Sequence, residues 1–410
     1  MNILLINHYA GSLRHGMEYR PFYLGREWVK LGHQVTIAAA SCSHLRTVPP
    51  GMSGPVVEER IEGVRYLWFK TPDYKGNGAR RALNMFAFVS QLFQRQEQLA
   101  GTCAKGAVIA SSTYPLDILP AAAISKAANA RLAFEVHDLW PLSPMELGGM
   151  SRFHPFVLMM QRAENFAYRH AQKVVSLLPK AAPHMCRHGL NPEKFVHVPN
   201  GIDPSEWLSS ASEIPCAHRE ALAEVNRAGG FAVLYAGAHG LANALPSVVR
   251  AAELLRDTPA VFLLVGQGPE KPALQELALR LKLRNVVFLP PVPKSAIPPL
   301  LAGAGALLIS LRRTPIFRFG ISPNKLIDYM MAARPVIQAI KAGNDMVSDS
   351  GCGITVQPED SRAIAAAVLR LMRLTPAERA EMGARGRSYV MALHDYRVLA
   401  RDFIEALETA

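Results

Sequence analysis

The stretch that decides the fold is residues 2–38, NILLINHYAGSLRHGMEYRPFYLGREWVKLGHQVTIA. It opens with a run of apolar residues at Asn2–Ile6, which is typical of a buried parallel strand. A glycine-containing loop follows, then a helix predicted over Pro21–Leu31 and a second strand predicted over Gln34–Ala38. A strand, a helix and a strand in this order predict a βαβ unit, so we expect a parallel sheet.

The alternation of strands and helices continues and then starts a second time. After VPNGID at 198–203 the chain becomes polar over Ser209–Ala217, and a new apolar strand, FAVLY, begins at Phe231. Further strands are predicted at 107–110, 132–136, 173–177, 260–265, 286–289, 306–309, 335–337 and 353–356. The pattern predicts two doubly wound α/β domains, over 1–200 and 201–385, with a ligand cleft between them.

The C-terminal tail is predicted to be helical from Ala377 to Leu407, with a break near Gly383 to Gly386. We expect its last part, 386–410, to pack back on the N-terminal domain.

Composition excludes several classes of protein. Half of the 410 residues are hydrophobic and 19% are charged, so large cores are available and general disorder is excluded. The longest apolar stretch, Ala296–Leu311, contains two prolines and two glycines and predicts a helix end followed by a strand, not a membrane span. The N-terminus lacks a basic segment and a long apolar run, so we expect a soluble protein on the cytoplasmic side.

Cysteine spacing and net charge further reduce the number of function classes that fit the sequence. The five cysteines are far apart and form no CxxC pair, so we expect neither a disulfide framework nor a zinc site. The net charge is +12, and residues 1–200 carry most of it, with 22 Lys and Arg against 13 Asp and Glu. Such a field favours anionic partners: phosphates, an acidic membrane surface or nucleic acid.

Two glycine-containing loops follow strands of the second domain. The loop GAHGLAN at 237–243 stands between a strand and a helix, where Gly237, Gly240 and His239 could contact a phosphate. A plain tight turn is an equally good interpretation of these residues. The loop GQGPEK at 266–271 lacks the GxGxxG spacing, so we interpret it as a turn, with Lys271 facing the cleft.

The most informative segment is RFGISPNKLIDYM at 318–330. Ser322 suits an N-cap and Pro323 the first helical position, so a helix is predicted to begin here. Lys325 in the first turn opposes the helix dipole, which indicates that an external anion such as a diphosphate compensates for it. Asp328, almost two turns in, could accept hydrogen bonds from a ribose. The alternative is a capped surface helix.

A third candidate site is EVHDLWP at 135–141, at the end of a predicted strand of the first domain. Two carboxylates and a histidine are more than a loop needs, and Trp140 could form a wall of the cleft. His137 could orient a substrate hydroxyl, or it could be a buried histidine with only a structural role.

Residues 80–89 and 156–162 combine bulky apolar side chains with basic flanks. Amphipathic helices of this kind can lie on an anionic membrane. Helices that simply face the core also explain the apolar residues, and this is the simpler interpretation of each helix alone.

Together, these segments resemble the family-4 retaining glycosyltransferases of the GT-B fold over essentially the whole chain. The resemblance rests on the first loop, VHD at 136–138, VPNGID, GQGPEK and SPNKLIDYMMAARPV at 322–336, in this order. The stretch 7–37, with EVHDLWP and YAGAHGLAN, is closer still to a bacterial O-antigen subgroup that includes N-acetyl-L-fucosaminyltransferase-like enzymes.

The resemblance implies roles for individual residues. His137 would contact the donor sugar and Asp328 the ribose, with His137 and Lys325 as the catalytic residues. The donor would be held by Gly16, Gly237, His239, Gly240, Gly320, Ser322, Asn324, Lys325 and Asp328. Arg20, Asp138 and Trp140 would line the acceptor side of the cleft. No metal or cofactor is expected, because basic groups and helix N-termini offset the charge of the leaving diphosphate.

The sequence departs from the family pattern at four positions. The family has two glutamates eight residues apart, whereas this chain has Gly320 and Asp328 at the corresponding positions. Backbone N–H groups near 320–324 would then bind the sugar hydroxyls, and a protein nucleophile at this point is disfavoured. His239 and Asn243 replace a common Arg and Lys, which bears on the identity of the sugar more than on the reaction.

The resulting prediction is retaining transfer of a sugar from a UDP-sugar to a polyprenyl-diphosphate-linked saccharide, by a protein peripheral to the anionic inner face of the membrane. The sugar could be an N-acetylated deoxyhexosamine such as N-acetyl-L-fucosamine, in O-antigen synthesis. One alternative is a GT-B sugar-nucleotide epimerase or hydrolase that uses Glu135 and Asp138 for proton transfer. The other, a nucleic-acid-binding protein, lacks a recognisable binding module, so no nucleic acid is expected.

Overall fold

The computed structural model describes residues 1–76, 78–209 and 213–409, which divide into two compact units. The first unit contains Met1–Asn200, Phe319–Ile321 and the chain from Tyr396 onward. The second contains Gly201–Arg318 and Ser322–Asp395. Part of the predicted polar stretch 209–217 lies outside the described residues.

The first unit is built on an eight-stranded sheet. Its strands are β1 (Asn2–Ile6), β2 (Gln34–Ala40), β3 (Val56–Ile61), β4 (Val64–Phe69), β5 (Ala107–Ala110), β6 (Arg131–Val136), β7 (Lys173–Ser176) and β8 (Phe195–His197). The strand order is β3-β4-β2-β1-β5-β6-β7-β8, and only β3 and β4 pair antiparallel. Its helices up to residue 200 are α1 (Arg20–Lys30), α2 (Ala79–Gln94), α3 (Gln96–Thr102), α4 (Ile118–Ala128), α5 (Leu142–Glu146), α6 (Pro155–His170) and α7 (Ala182–Arg187).

The β3–β4 hairpin is an element that the strand–helix alternation did not predict. Glu62 and Gly63 connect the two strands with positive φ angles of 47° and 83°, as a tight hairpin turn requires. The alternating burial of β3 is typical of an edge strand, and a hairpin needs no crossover helix. A search for paired β-rich runs around this turn could have found it.

The second unit has a six-stranded sheet in the order β11-β10-β9-β12-β13-β14, with every strand pair parallel. Its strands are β9 (Phe231–Ala236), β10 (Ala260–Val265), β11 (Val286–Leu289), β12 (Ala306–Ser310), β13 (Val336–Ala339) and β14 (Gly353–Val356). Its helices are α8 (Pro204–Ser209), α9 (Cys216–Arg227), α10 (Leu245–Leu254), α11 (Lys271–Arg280), α12 (Ile297–Ala302), α13 (Asn324–Met331), α14 (Met346–Ser350), α15 (Ser361–Arg373) and α16 (Pro376–Leu393). This is the Rossmann strand order, in which ligands bind where the order reverses, here beyond β9 and β12.

The last helix, α17 (Tyr396–Glu408), packs on α1 within the first unit. The Trp28 Nε1 donates to the Ala400 carbonyl at 3.0 Å, and the rings of Tyr23 and Tyr396 stack 4.9 Å apart. The return of the tail to the N-terminal unit is thus observed, but it starts at Tyr396 and not at 386.

The predicted break near Gly383 is wrong, because the helix break lies at 394–395 and both glycines are inside α16. A Cβ at Gly383 would lie 2.1 Å from the Ala333 carbonyl oxygen, and one at Gly386 would lie 2.8 Å from the Cys352 Cβ. The two glycines therefore permit a close approach of α16 to the chain after α13 instead of interrupting the helix.

Candidate active site

The second unit brings Lys325 into contact with the end of β9. The Lys325 Nζ donates a hydrogen bond to the Tyr235 hydroxyl at 2.8 Å and lies 4.1 Å from the centroid of its ring. A Cβ at Gly237 would lie 2.5 Å from the same Nζ, so a side chain there would displace the end of the lysine. Two of the residues predicted to hold a diphosphate, Gly237 and Lys325, are thus neighbours in space.

Lys325 is a partly buried cation without a counter-charge. Burial lowers the pKa of its ammonium group to about 8, so the group is still mainly protonated at pH 7. Within the described residues, no carboxylate forms an ion pair with it. Because an unpaired cation is costly when removed from water, this arrangement favours an anionic ligand.

Helix α13 supplies further donors at this point. It begins at Asn324, and its N-cap residue, Pro323, makes no side-chain hydrogen bond to the first N–H groups. The predicted roles of Ser322 and Pro323 are therefore wrong by one position, because Pro323 is extended at ψ 125° and stands outside the helix. Lys325 remains in the first turn, as predicted. An uncapped helix N-terminus presents free N–H groups to an anion.

Tyr329 fixes the position of α13 on the sheet, and the sequence did not single it out. It lies one turn after Lys325, and its hydroxyl accepts a hydrogen bond from the Ala236 N–H at 2.7 Å. The hydroxyl of Tyr235, in turn, donates to the Ala238 carbonyl at 2.7 Å. The sequence feature that could have indicated this cluster is Tyr235, a tyrosine near the end of the otherwise apolar strand β9.

Asp328 is half-buried on α13. Burial raises the pKa of its carboxyl group to about 7, and the positive charge of Lys294 opposes this only in part. In the part of the chain that the structure describes, its side chain makes no hydrogen bond. A half-buried carboxyl group without partners is available to accept hydrogen bonds from a ligand diol.

His239 is fully buried, and neither of its ring nitrogens has a hydrogen-bond partner among the described residues. Burial, together with the charges of the nearby Lys271 and Lys325, lowers the pKa of the imidazole to about 4. The ring is therefore neutral at pH 7 and could meet a phosphate only as an uncharged donor. Gly240 lies next to it and lines a cavity of about 280 Å³ at the start of α10.

The glycines of GQGPEK allow two loops to pack together. A Cβ at Gly266 would lie 1.9 Å from the Gly237 carbonyl oxygen, and one at Gly268 would lie 2.5 Å from the His239 carbonyl oxygen. The Lys271 Nζ donates to the Gly266 and Leu289 carbonyls at 2.8 and 3.0 Å. Lys271 therefore stabilises this turn, as the interpretation of GQGPEK as a turn leads one to expect.

In the first unit, Glu135 is the centre of a buried polar network at the end of β6. Its carboxylate accepts hydrogen bonds from the Arg20 guanidinium at 2.8 and 2.9 Å and from the Ser111 hydroxyl at 2.5 Å. The His137 Nε2 lies 3.3 Å from the same carboxylate and 3.0 Å from the Ser111 hydroxyl. Arg20 also donates to the Val198 carbonyl at 2.9 Å.

This network corrects the expected position of Arg20. Its side chain is 1% exposed, so it lies beneath the candidate site and does not line an acceptor surface. Burial alone would raise the pKa of Glu135, but the charge of Arg20 and the hydrogen bonds from His137 and Ser111 outweigh it and hold the pKa at about 2. Burial lowers the pKa of His137, whereas its bond to Glu135 and the charge of Glu135 raise it above its ordinary value overall.

Gly16 occupies a tight turn of the first loop. Its φ is 94°, and a Cβ there would lie 2.8 Å from the Thr47 hydroxyl oxygen. Its N–H donates to the Ser12 carbonyl at 2.8 Å, so this N–H is already engaged. Gly320 also has a left-handed φ, of 101°, and the segment Phe319–Ile321 groups with the first unit.

Asp138 and Trp140 flank a small cavity that Thr113 and Glu164 also line. Asp138 is exposed, and the Trp140 ring packs edge-on against Phe156 at 6.2 Å. Glu164 is buried and accepts hydrogen bonds from the Tyr168 hydroxyl at 2.8 Å and from the Gln161 Nε2 at 2.7 Å. Glu164 lies within a predicted helical stretch, so nothing in the neighbouring sequence indicated that it lines this cavity.

Among residues 1–76, 78–209 and 213–409, no group of three or more His, Cys, Asp or Glu side chains is arranged to hold a metal ion. No described helix is long and apolar enough to cross a membrane.

Two family models match the chain, one in each unit. Residues 15–201 match the glycosyl transferase 4-like domain. Residues 230–373 match the family described as glycosyl transferases group 1. The chain therefore belongs to the glycosyltransferases of the GT-B fold, which combine these two Rossmann-like domains.

Individual proteins support this placement. A glycosyl transferase of Escherichia coli (strain K12), WcaI, provisionally assigned to colanic acid biosynthesis, is 29% identical over 146 residues, which are 35% of this chain and 35% of that protein. The crystal structure of Anabaena Alr3699/HepE in complex with UDP has a TM-score of 0.71 at 16% identity, over 100% of both chains. Sucrose-phosphate synthase from Thermosynechococcus elongatus has a TM-score of 0.70 at 18% identity, over 99% of this chain and 98% of that one. The two structural likenesses establish the shared fold.

Proposed function

We propose that the protein transfers a sugar from a UDP-sugar to an acceptor, with retention of anomeric configuration. The observation that carries the proposal is Lys325, a cation without a counter-charge beside the uncapped N-terminus of α13. It lies in the unit that matches glycosyl transferases group 1. UDP is the favoured nucleotide because the Anabaena HepE structure, which shares the fold, is in complex with UDP.

In this proposal, leaving-group stabilisation accounts for most of the catalysis. Lys325 and the first N–H groups of α13 bind the diphosphate and offset the charge that develops as the glycosidic bond breaks. Protein groups and not a metal ion supply this charge. The departing diphosphate oxygen takes the acceptor proton, so no separate general base is needed. Asp328 binds the ribose, and His137 donates a hydrogen bond to the donor sugar.

The proposed acceptor is a polyprenyl-diphosphate-linked saccharide, and the proposed sugar is an N-acetylated deoxyhexosamine such as N-acetyl-L-fucosamine. The positive charge of residues 1–200 supports an anionic acceptor. The relative assigned to colanic acid biosynthesis supports a role in surface polysaccharide synthesis. The proposed location is the cytoplasmic side, at the inner face of the membrane.

The epimerase alternative receives no support from Glu135. A carboxylate whose pKa is about 2, held by a buried arginine, is a weak base and cannot readily abstract a proton.

The test is a thermal-shift titration of the purified protein with UDP, GDP and ADP, without metal and with magnesium. A ligand that binds the native state raises the unfolding midpoint by mass action. We expect UDP to stabilise the wild type without metal and to lose this effect in Lys325→Met, which removes the charge and keeps the stem. Lys282→Met, at an exposed lysine of the same unit, is the matched control and should respond like the wild type.

Failure of all three nucleotides to stabilise the folded wild type would refute the donor site. An equal response of Lys325→Met and the wild type would place the nucleotide elsewhere. Sugar transfer itself is then measured with a panel of UDP-sugars and a lipid-diphosphate acceptor.

A further inference from the structure

Helix α2 is apolar on two opposite faces, which an ordinary core-facing helix is not. Its inner face is buried and contributes Asn84, Met85, Phe88, Val89 and Leu92 to the core of the first unit. Its outer face exposes three large apolar side chains: Leu83 is 58% exposed, Phe86 42% and Phe93 41%. The spacing of these three residues places them within one stripe of the helix. We name the side chains of Leu83, Phe86 and Phe93 the outer stripe.

Basic residues surround the outer stripe. Lys75 and Arg80 are exposed at the N-terminal end of α2. Lys70 is also exposed and lies beside the last turn of α2, where its carbonyl accepts a hydrogen bond from the Gln91 side chain at 2.6 Å. Arg95 follows the C-terminus of α2, and α2 itself contains no acidic residue. In the described part of the chain, none of these four forms an ion pair. The only acidic residue between 70 and 95 is Asp73. An apolar stripe with a basic border is complementary to an anionic lipid surface.

The position of α2 is suited to a lipid-linked acceptor. Arg81, next to the outer stripe, stacks on the Tyr9 ring at 5.3 Å and donates to its hydroxyl at 3.0 Å. Tyr9 follows β1, and its N–H donates to Asn7, which in turn donates to Ser111 of the Glu135 network. The N-terminus of α2 is thus connected to the sheet edge that carries His137.

We infer that the outer stripe of α2 docks the first unit onto the anionic face of a membrane. The inference rests on the proposed function only in taking a lipid-linked acceptor as the reason for docking. A protein partner fits less well, because the three side chains together expose roughly 250 Å², against about 800 Å² per partner in a stable protein interface. Insertion into lipid needs no matching surface, and the basic border supplies long-range attraction.

Helix α6 provides the contrast within the same unit. Its exposed face carries one large apolar side chain, Leu158, 41% exposed, near Arg162. Val157 and Met160 of α6 are buried in the core, and Phe156, Met159 and Phe166 are partly buried. Core packing therefore explains most of the apolar residues of α6, as the simpler interpretation of the sequence proposed, whereas it leaves the outer stripe of α2 unexplained.

The test is co-sedimentation of the full chain with phosphatidylcholine vesicles, with and without phosphatidylglycerol. We expect binding only to the anionic vesicles, falling as salt is added. The triple variant Leu83→Ser, Phe86→Ser, Phe93→Ser should bind at least tenfold more weakly, and Arg80→Glu should weaken binding and its salt dependence. Leu158→Ser is the matched control and should bind like the wild type. The substituted side chains are exposed, so the fold is expected to persist, which circular dichroism checks.

Three results would overturn the inference: no binding of the wild type to anionic vesicles, equal binding to neutral ones, or unchanged binding of the triple variant. A wild type that dimerises, with a monomeric triple variant, would assign the stripe to a second copy of the chain and would also overturn it. UDP stabilisation, measured on the same samples, keeps the two proposals separate. Its loss in every sample refutes the donor site and leaves membrane binding standing.

Discussion

Replacing Arg20 by leucine tests whether the Glu135 network is the buried ionic centre of the first unit. Arg20 and Glu135 are each 1% exposed and lie 115 positions apart in the chain. The substitution removes the guanidinium, keeps an apolar side chain and leaves the carboxylate buried without its counter-charge. The remaining partners, Ser111 and His137, cannot replace a permanent positive charge.

The expected loss in the free energy of unfolding follows both from the pKa of Glu135 and from the general cost of breaking a buried ion pair. The pKa of Glu135 falls from 4.5 to about 2 on folding, and at about 1.4 kcal/mol per pKa unit this difference gives about 3 kcal/mol. Removing one partner of a buried ion pair costs about 3–5 kcal/mol in proteins generally. At about 2–4 °C per kcal/mol for a unit of this size, we expect the midpoint to fall by roughly 6–12 °C.

The assay is thermal and urea unfolding of both proteins between pH 2 and pH 8. Because the folded pKa of Glu135 is depressed, its contribution is present above pH 4.5 and disappears as the pH falls towards 2. The difference between wild type and Arg20→Leu should therefore be largest near neutral pH and shrink in acid. Arg14→Leu is the control, since Arg14 pairs with Glu59 at 3.3 Å in an exposed position and should cost less than about 1 kcal/mol. A loss below 1 kcal/mol for Arg20→Leu, or one that does not vary with pH, would refute this account.

Two further predictions concern packing and thiol access. Gly383→Ala should destabilise the protein by about 1–3 kcal/mol, because the new Cβ would lie 2.1 Å from the Ala333 carbonyl oxygen. Gly101→Ala is the control, since a Cβ there would meet nothing within 4 Å, and it should be neutral or stabilising by up to about 1 kcal/mol. Similar unfolding midpoints for the two variants would contradict this prediction. Cys216 is exposed and Cys352 is buried, so a thiol reagent should modify Cys216 in the native state and Cys352 only on unfolding, as mass spectrometry of the labelled peptides would show. The hydrogen bond to Glu220 raises the pKa of the Cys216 thiol, so labelling should accelerate with pH, and early labelling of Cys352 would contradict its burial.

Local sequence patterns were sufficient for most of the architecture. Runs such as Asn2–Ile6 and Phe231–Ala236 are apolar throughout because parallel strands are covered on both faces, so they stand out without any tertiary information. The first turn of α13 was likewise readable, since a lysine at a helix start contradicts the local electrostatic preference. The β3–β4 hairpin was missed because the alternation of strands and helices does not include antiparallel edges.

Only part of the candidate site could be predicted from the sequence. Lys325, Gly237 and His137 were identified from their places in the sequence, but their surroundings were not. Glycine illustrates the difficulty, because the same residue can bind an anion, form a turn or permit close packing. At Gly266 and Gly383 the structure shows close packing, which depends on what approaches from elsewhere in the chain.

By itself, the sequence determined the two α/β units, the position of the first turn of α13 and the excess of positive charge in residues 1–200. These properties depend on the periodicity and charge of neighbouring residues. Only the tertiary structure decided that Arg20 is buried against Glu135 and that Lys325 reaches Tyr235, 90 positions away. It also decided that one stripe of α2 remains uncovered. Burial and the pairing of charges are set by contacts between distant segments, which no local pattern encodes.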